Sequence, residues 1–178
     1  MRHSRLVSTT TVRQRTLLMS TYGGGLRVSE VVRLQVSDSD AGRGMRRVEQ
    51  GKGRKDRYTL LGPRLLAELR RYWQLYRPTP PWLFPRQSKP APMPIETAQR
   101  MDYAAKERAG ITKAGGIHAL RHAFTTHLLE GGADLATLQR LLGHESVTTT
   151  MHYVHLAQHQ LTAHGSPLES LPDVEAAG

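Results

Sequence analysis

Leu65, Leu66, Leu69, Trp73 and Tyr76 recur at the three- and four-residue spacing of an α-helix, and Pro63 suits the first helical position. A helix is therefore predicted over about Pro63 to Arg77, with those side chains in the core. "VRQRTLLMSTY", Val12 to Tyr22, is rich in helix formers and stops at Gly23, Gly24 and Gly25, the punctuation of a helix end. A second helix is expected from near Arg27 to about Leu34. At Arg46 the texture changes. "RRVEQ" and "RYTLL" flank "GKGRKD", a pattern of two short strands about a glycine-bearing turn, with Lys52 at or beside the turn.

Further on, helices are expected at about Ile95 to Ala109, His118 to Glu130 and Asp134 to Leu142, with Asp134 as an N-cap and glycine after each. A last helix is expected to begin near Ser146. In "HALRHAFTTHLLE" the residues Leu120, Phe124 and Leu128 make an apolar stripe, while His118, Arg121 and His122 share a neighbouring polar face. Between Arg77 and Ile95 lie seven prolines, which exclude a helix and leave a loop pinned by Trp82, Leu83 and Phe84, crossing within one domain. The pattern as a whole predicts one mainly α-helical domain with a small antiparallel β element at about Arg46 to Leu61.

Composition narrows the class. The 178 residues suffice for one ordinary core, assigned here to residues 1–164, with residues 165–178 as a flexible or partner-docking tail broken by Pro167 and Pro172. With no cysteine there are no disulfides, thiolate metal sites or cysteine nucleophiles, and a cytoplasmic setting is the simpler expectation. No stretch reaches the roughly 20 apolar residues of a membrane span, and the first residues lack the apolar centre of a secretory signal. The net charge is +10. The tail holds Glu169, Asp173 and Glu175 and no base, so removing those three acids from fifteen leaves residues 1–164 with all 25 bases against 12 acids, or +13. That balance points to a polyanionic partner, with nucleic acid ahead of a membrane surface.

Taken singly, the polar residues decide little. In "GLRVSE" Arg27 stands between a glycine run and a helix start, and nothing local says what it touches. His118 and His122, at i and i+4, could share an ion, but no carboxylate stands between them as in the zinc-protease helix; a solvated or hydrogen-bonded pair is the simpler reading. His144 alone reads as a helix-end cap, and Tyr153 alone as a packing residue.

Together and in order, "GLRVSE", "GKGRKDR", "HALRH", "LLGH" and "TTMHYVH" resemble the catalytic domain of the tyrosine recombinase, or phage-type integrase, family over about Thr11 to His155. Arg27 matches the family's first arginine and Lys52 its hairpin lysine. His118 and Arg121 match the histidine and second arginine of the H-x-x-R box, His144 the second histidine, Tyr153 the nucleophile and Glu30 the acidic support. The resemblance implies a site-specific recombinase that cleaves and rejoins DNA through a 3′-phosphotyrosine, with no metal and no other cofactor. It implies double-stranded DNA as partner, and further protomers in a DNA-bound tetramer, with a monomer expected when free.

The chemistry suits those residue types. Charge gathers on the non-bridging oxygens of a phosphodiester under attack, and guanidiniums can clamp them bidentately. A tyrosine of ordinary pKa near 10 needs help to lose its proton, a role the resemblance gives to His118. Lys52 would protonate the leaving 5′ oxygen as general acid, and His144 would hydrogen-bond the phosphate. Relatives carry an N-terminal DNA-gripping domain that is expected to be absent here, and a catalytically idle DNA-binding remnant is the alternative reading.

Overall fold

The computed structural model describes residues 10–49, 56–87, 89–112 and 115–143. Lys52 with its turn, His144, Tyr153, the helix expected near Ser146 and the tail lie outside the described residues.

Helix α1 spans Val12–Gly23. Thr11 starts it: its hydroxyl accepts from the Gln14 N–H, and the Gln14 side chain accepts from the Thr11 N–H, both at 3.3 Å. Leu17 and Leu18 are buried, and so are Thr16, Ser20 and Thr21. Thr16 and Thr21 satisfy their hydroxyls by donating to carbonyls four residues back, at 2.7 and 2.9 Å, which lets a partly polar helix occupy the centre.

The second helix is shorter than expected. α2 covers Val28–Val32 only, and Arg33 closes it. Valine-rich stretches are middling helix formers, and the proline-rich segment competes for the backbone that follows. Leu34 C=O accepts from Leu83 N–H at 2.7 Å, and Val36 N–H donates to Pro81 C=O at 3.0 Å. These bonds pull residues 34–36 out of the helical path and anchor the loop, whose Leu83 and Phe84 are buried.

The sheet has three strands where two are expected. β1 (Ser39–Asp40), β2 (Met45–Val48) and β3 (Arg57–Leu60) run antiparallel in that order, with Ser39 opposite Arg46 and Arg46 opposite Thr59. A two-residue strand of Ser and Asp carries no alternation to read. α3 spans Pro63–Tyr76, with Leu65, Leu69 and Tyr72 on its buried face. The inward ring is therefore Tyr72, tilted against Phe84 at 5.4 Å between centroids, whereas Tyr76 is 46% exposed at the helix end.

α4 (Ile95–Arg108), α5 (His118–Glu130) and α6 (Leu135–Leu142) complete the described chain. Asp134 caps α6, accepting from Thr137 N–H at 2.8 Å. The main core joins Leu17, Leu26, Val31, Leu61, Leu65, Leu83, Phe84 and Leu120, and a second cluster joins Phe124 to Leu141 and Leu142. α1 packs on α3, α4 and α5, while β3 packs on α6. The glycine end of α1, the first turns of α5, strand β3 and the end of α6 consequently meet. The result is the mainly helical fold with a small antiparallel sheet that the sequence pattern predicts.

Candidate active site

The meeting point begins with backbone. Gly24 ends α1, and Gly25 takes φ +57°, a left-handed conformation that turns the chain back into α2. A Cβ on Gly25 would lie 2.4 Å from Phe124 Cδ1, so close packing as well as backbone requires glycine there. The Gly25 carbonyl accepts from Arg121 Nη1 at 2.7 Å, and the Gly24 carbonyl accepts from Thr59 Oγ1 at 2.7 Å.

Arg27 sits at the N-cap position of α2, and Glu30 three residues on folds back over it. The Arg27 N–H donates to Glu30 Oε2 at 2.7 Å, and Arg27 Nη1 donates to Glu30 Oε1 at 2.8 Å. Arg57 grips the same carboxylate with its fork, Nη1 to Oε1 at 2.7 Å and Nη2 to Oε2 at 2.8 Å. Arg121 Nη1 stands 3.7 Å from Oε2. Burial alone would raise the Glu30 carboxyl, but hydrogen bonding and charge from Arg57, then from Arg27, bring it down to about 2. One ionised carboxylate among three guanidiniums leaves the cluster at net +2.

Arg57 and Arg121 also reach the C-terminal end of α6. Arg57 Nε donates to Leu141 C=O at 2.9 Å, and Arg121 Nη2 donates to Leu142 C=O at 2.7 Å. These are carbonyls the helix cannot satisfy itself, at the end where its dipole favours cations. Gly143 follows at φ +62°, and a Cβ there would lie 2.7 Å from Arg57 Cδ. The side chains of Arg57 and Arg121 are 7% and 8% exposed, while that of Arg27 is 25% exposed and faces outward most.

Of the residues singled out by sequence, Arg27, Glu30 and Arg121 converge. His118 is exposed on the first turn of α5, one turn before Arg121, and His122 is exposed beside it. Among the described residues no three His, Asp or Glu side chains gather as a metal-ligating group. Lys52, His144 and Tyr153 lie outside the described residues, with Lys52 five positions before Arg57 in the chain and His144 immediately after Gly143.

Arg57 is the member that sequence reasoning misses. Its signal is an inverted alternation in β3, where Arg57 and Thr59 point inward and Tyr58 and Leu60 point out. A strand that exposes its apolar residues and buries its polar ones must have a polar cluster to bury them in.

Comparison with known proteins places this geometry in context. The model of the phage integrase family matches residues 1–160. The chain y4qK of Sinorhizobium fredii is 46% identical over 156 residues, spanning 88% of this chain and 50% of its own. The tyrosine recombinase XerD of Corynebacterium glutamicum is 38% identical over 164 residues, spanning 89% of this chain and 53% of its own. The crystal structure of XerA recombinase superposes with a TM-score of 0.81 at 28% identity, covering 97% of this chain and 62% of that one. The chain thus spans about half the length of these curated relatives.

Proposed function

The chain belongs to the phage integrase family, and from that premise we propose that it is the catalytic domain of a site-specific tyrosine recombinase, residues 1–164, followed by a tail, residues 165–178. The observation that carries the reading is the convergence of Arg27 and Arg121 on the Glu30 carboxylate, a cationic cluster with one outward-facing guanidinium.

In this reading the substrate is double-stranded DNA. Arg27 and Arg121 hold the non-bridging oxygens of the scissile phosphate, where guanidiniums offset the charge that grows in the transition state. Tyr153 Oη attacks phosphorus while His118 takes its proton, forming the 3′-phosphotyrosine bond. The bond to the 5′ bridging oxygen breaks, and that oxygen receives a proton from Lys52 as general acid. His144 donates a hydrogen bond to the phosphate, and Glu30 orients the arginines. The phosphotyrosine keeps the energy of the broken bond, so attack by a 5′ hydroxyl of another strand reverses the steps and rejoins DNA without a nucleotide cofactor.

Strand exchange between two duplexes needs further copies of the chain, assembled on DNA as a tetramer. The free chain is expected to be monomeric by light scattering, with assembly driven by the local concentration that DNA provides.

The direct test incubates the chain with a nicked duplex and looks for a covalent protein–DNA band on a denaturing gel. The wild-type chain is expected to give the band, and Tyr153→Phe is expected to bind DNA without giving it. Binding with no wild-type band would leave a DNA-binding module without recombinase chemistry.

A further inference from the structure

Arg57 has no part in the chemistry just described, yet its fork holds both oxygens of the Glu30 carboxylate. All three of its guanidinium nitrogens donate to protein oxygens, Nη1 and Nη2 to Glu30 and Nε to Leu141 C=O. With Nε and both Nη atoms committed to these acceptors, the Arg57 fork is aimed at Glu30 and the end of α6.

We propose that Arg57 is a positioning residue for the two phosphate-binding arginines: it locks the Glu30 carboxylate against which Arg27 is held, and it pins the end of α6 to which Arg121 is tied. The inference rests on the recombinase reading above. The terminal torsion of a glutamate is soft and roughly two-fold, so a carboxylate held at one oxygen swings readily. The fork of Arg57 fixes both oxygens at once, which lets Oε1 receive Arg27 Nη1 and Oε2 receive the Arg27 N–H.

The second arm works on Arg121. Arg57 takes the Leu141 carbonyl and Arg121 the next one, Leu142, so the two guanidiniums share one helix end. Arg121 is held from its other side by the Gly25 carbonyl. Displacing the end of α6 therefore moves one of the two carbonyls that aim Arg121. A lysine in place of Arg57 would restore charge but not the fork, because an ammonium is a point donor on a flexible stem.

The experiment compares wild type, Arg57→Lys and Arg57→Met in single-turnover adduct formation on saturating nicked duplex, with DNA affinity measured in parallel. The expected result is a DNA Kd within about twofold of wild type and a rate reduced by about a hundredfold in Arg57→Met, the scale of a misplacement near 1 Å. Arg57→Lys is expected to recover only a small part of that rate. The acid limb of the pH–rate profile should move upward in Arg57→Met, since Glu30 loses the partner that keeps it ionised. A purely structural role would leave that limb where it is.

Two further readouts keep the test decisive. Carbon-13 titration of Glu30 and the Nε–H resonances of Arg27 and Arg121 report the cluster without activity. If the wild-type chain forms no adduct, the recombinase reading fails on its own, and these signals still decide the positioning role. Should Arg57→Met fail to fold, Arg57→Lys carries the comparison. Wild-type rate in the folded variant, loss of DNA affinity in step with rate, or unchanged Glu30 titration with unchanged Arg27 and Arg121 signals would each overturn the proposal.

Discussion

The Gly25 carbonyl accepts a 2.7 Å hydrogen bond from Arg121 Nη1, joining the turn before α2 to the N-terminal end of the helix that carries the H-x-x-R box. That bond exists because Gly25 adopts φ +57° with the Phe124 ring packed where a side chain would begin. Gly25→Ala should therefore cost about 2–5 kcal/mol, combining left-handed strain with overpacking. Urea unfolding measures it. Phe124→Leu in the same chain should recover part of the loss by relieving the clash, while the backbone strain remains; a fully additive double variant would show that the ring is not the obstacle.

Glu30 makes acid stability predictable. Its folded pKa of about 2 lies below the ordinary 4.5, so its ionisation contributes stability that is fully present above pH 4.5 and is lost as pH falls toward 2. The contribution is on the order of 3 kcal/mol. Asp38 and Asp102 work in the opposite sense. Both are buried and raised, first by desolvation, so acidification relieves a cost there. The test is thus a difference: stability against pH for wild type minus Glu30→Gln should isolate a slope confined to the window from 4.5 down to 2. Parallel curves for the two proteins would refute it.

Much of the fold is legible because helix ends are chemically marked. Thr11 with Gln14, Asp134 and the glycines at 24, 131 and 143 all stand where the sequence places a start or a stop. Arg27, Glu30 and Arg121 are legible as a group because their motifs occur in one order, although no local pattern says that they share one carboxylate. What hides is whatever depends on distant backbone. α2 ends early because Leu34 and Val36 bond to residues 81 and 83. Tyr72 replaces Tyr76 in the core because Phe84 arrives from the proline-rich loop. Arg57 looks like a solvated strand residue until α6 is seen to end against it.

DNA binding should be steeply salt-dependent. Arg46, Arg57 and Arg121 are buried, but Arg33, Arg43, Arg100 and Arg140 are among many exposed bases on a body of charge +13. A footprint of about six phosphates would lose on the order of a thousandfold in affinity between 50 and 200 mM salt through counterion release. Fluorescence anisotropy on a labelled duplex over that range checks this, and a flat response would exclude a phosphate-dominated interface.

The sharpest chemical prediction separates proton donation from charge stabilisation. If Lys52 protonates the leaving 5′ oxygen, Lys52→Ala should be severely slowed on an ordinary nicked duplex, because an alkoxide is a poor leaving group. Replacing the 5′ bridging oxygen by sulfur gives a leaving group that departs with little protonation, so Lys52→Ala should cleave that substrate at close to the wild-type rate. Arg121→Ala should gain no such rescue. In the proposed mechanism its guanidinium, tied to Gly25 and Leu142 and 3.7 Å from Glu30, holds phosphate oxygens, and the charge that develops on them does not depend on the leaving atom. Single-turnover rates on the oxygen and sulfur substrates for both variants make the comparison. Equal rescue of the two would remove the general-acid role from Lys52, and rescue of neither would assign Lys52 to the same electrostatic clamp as the arginines.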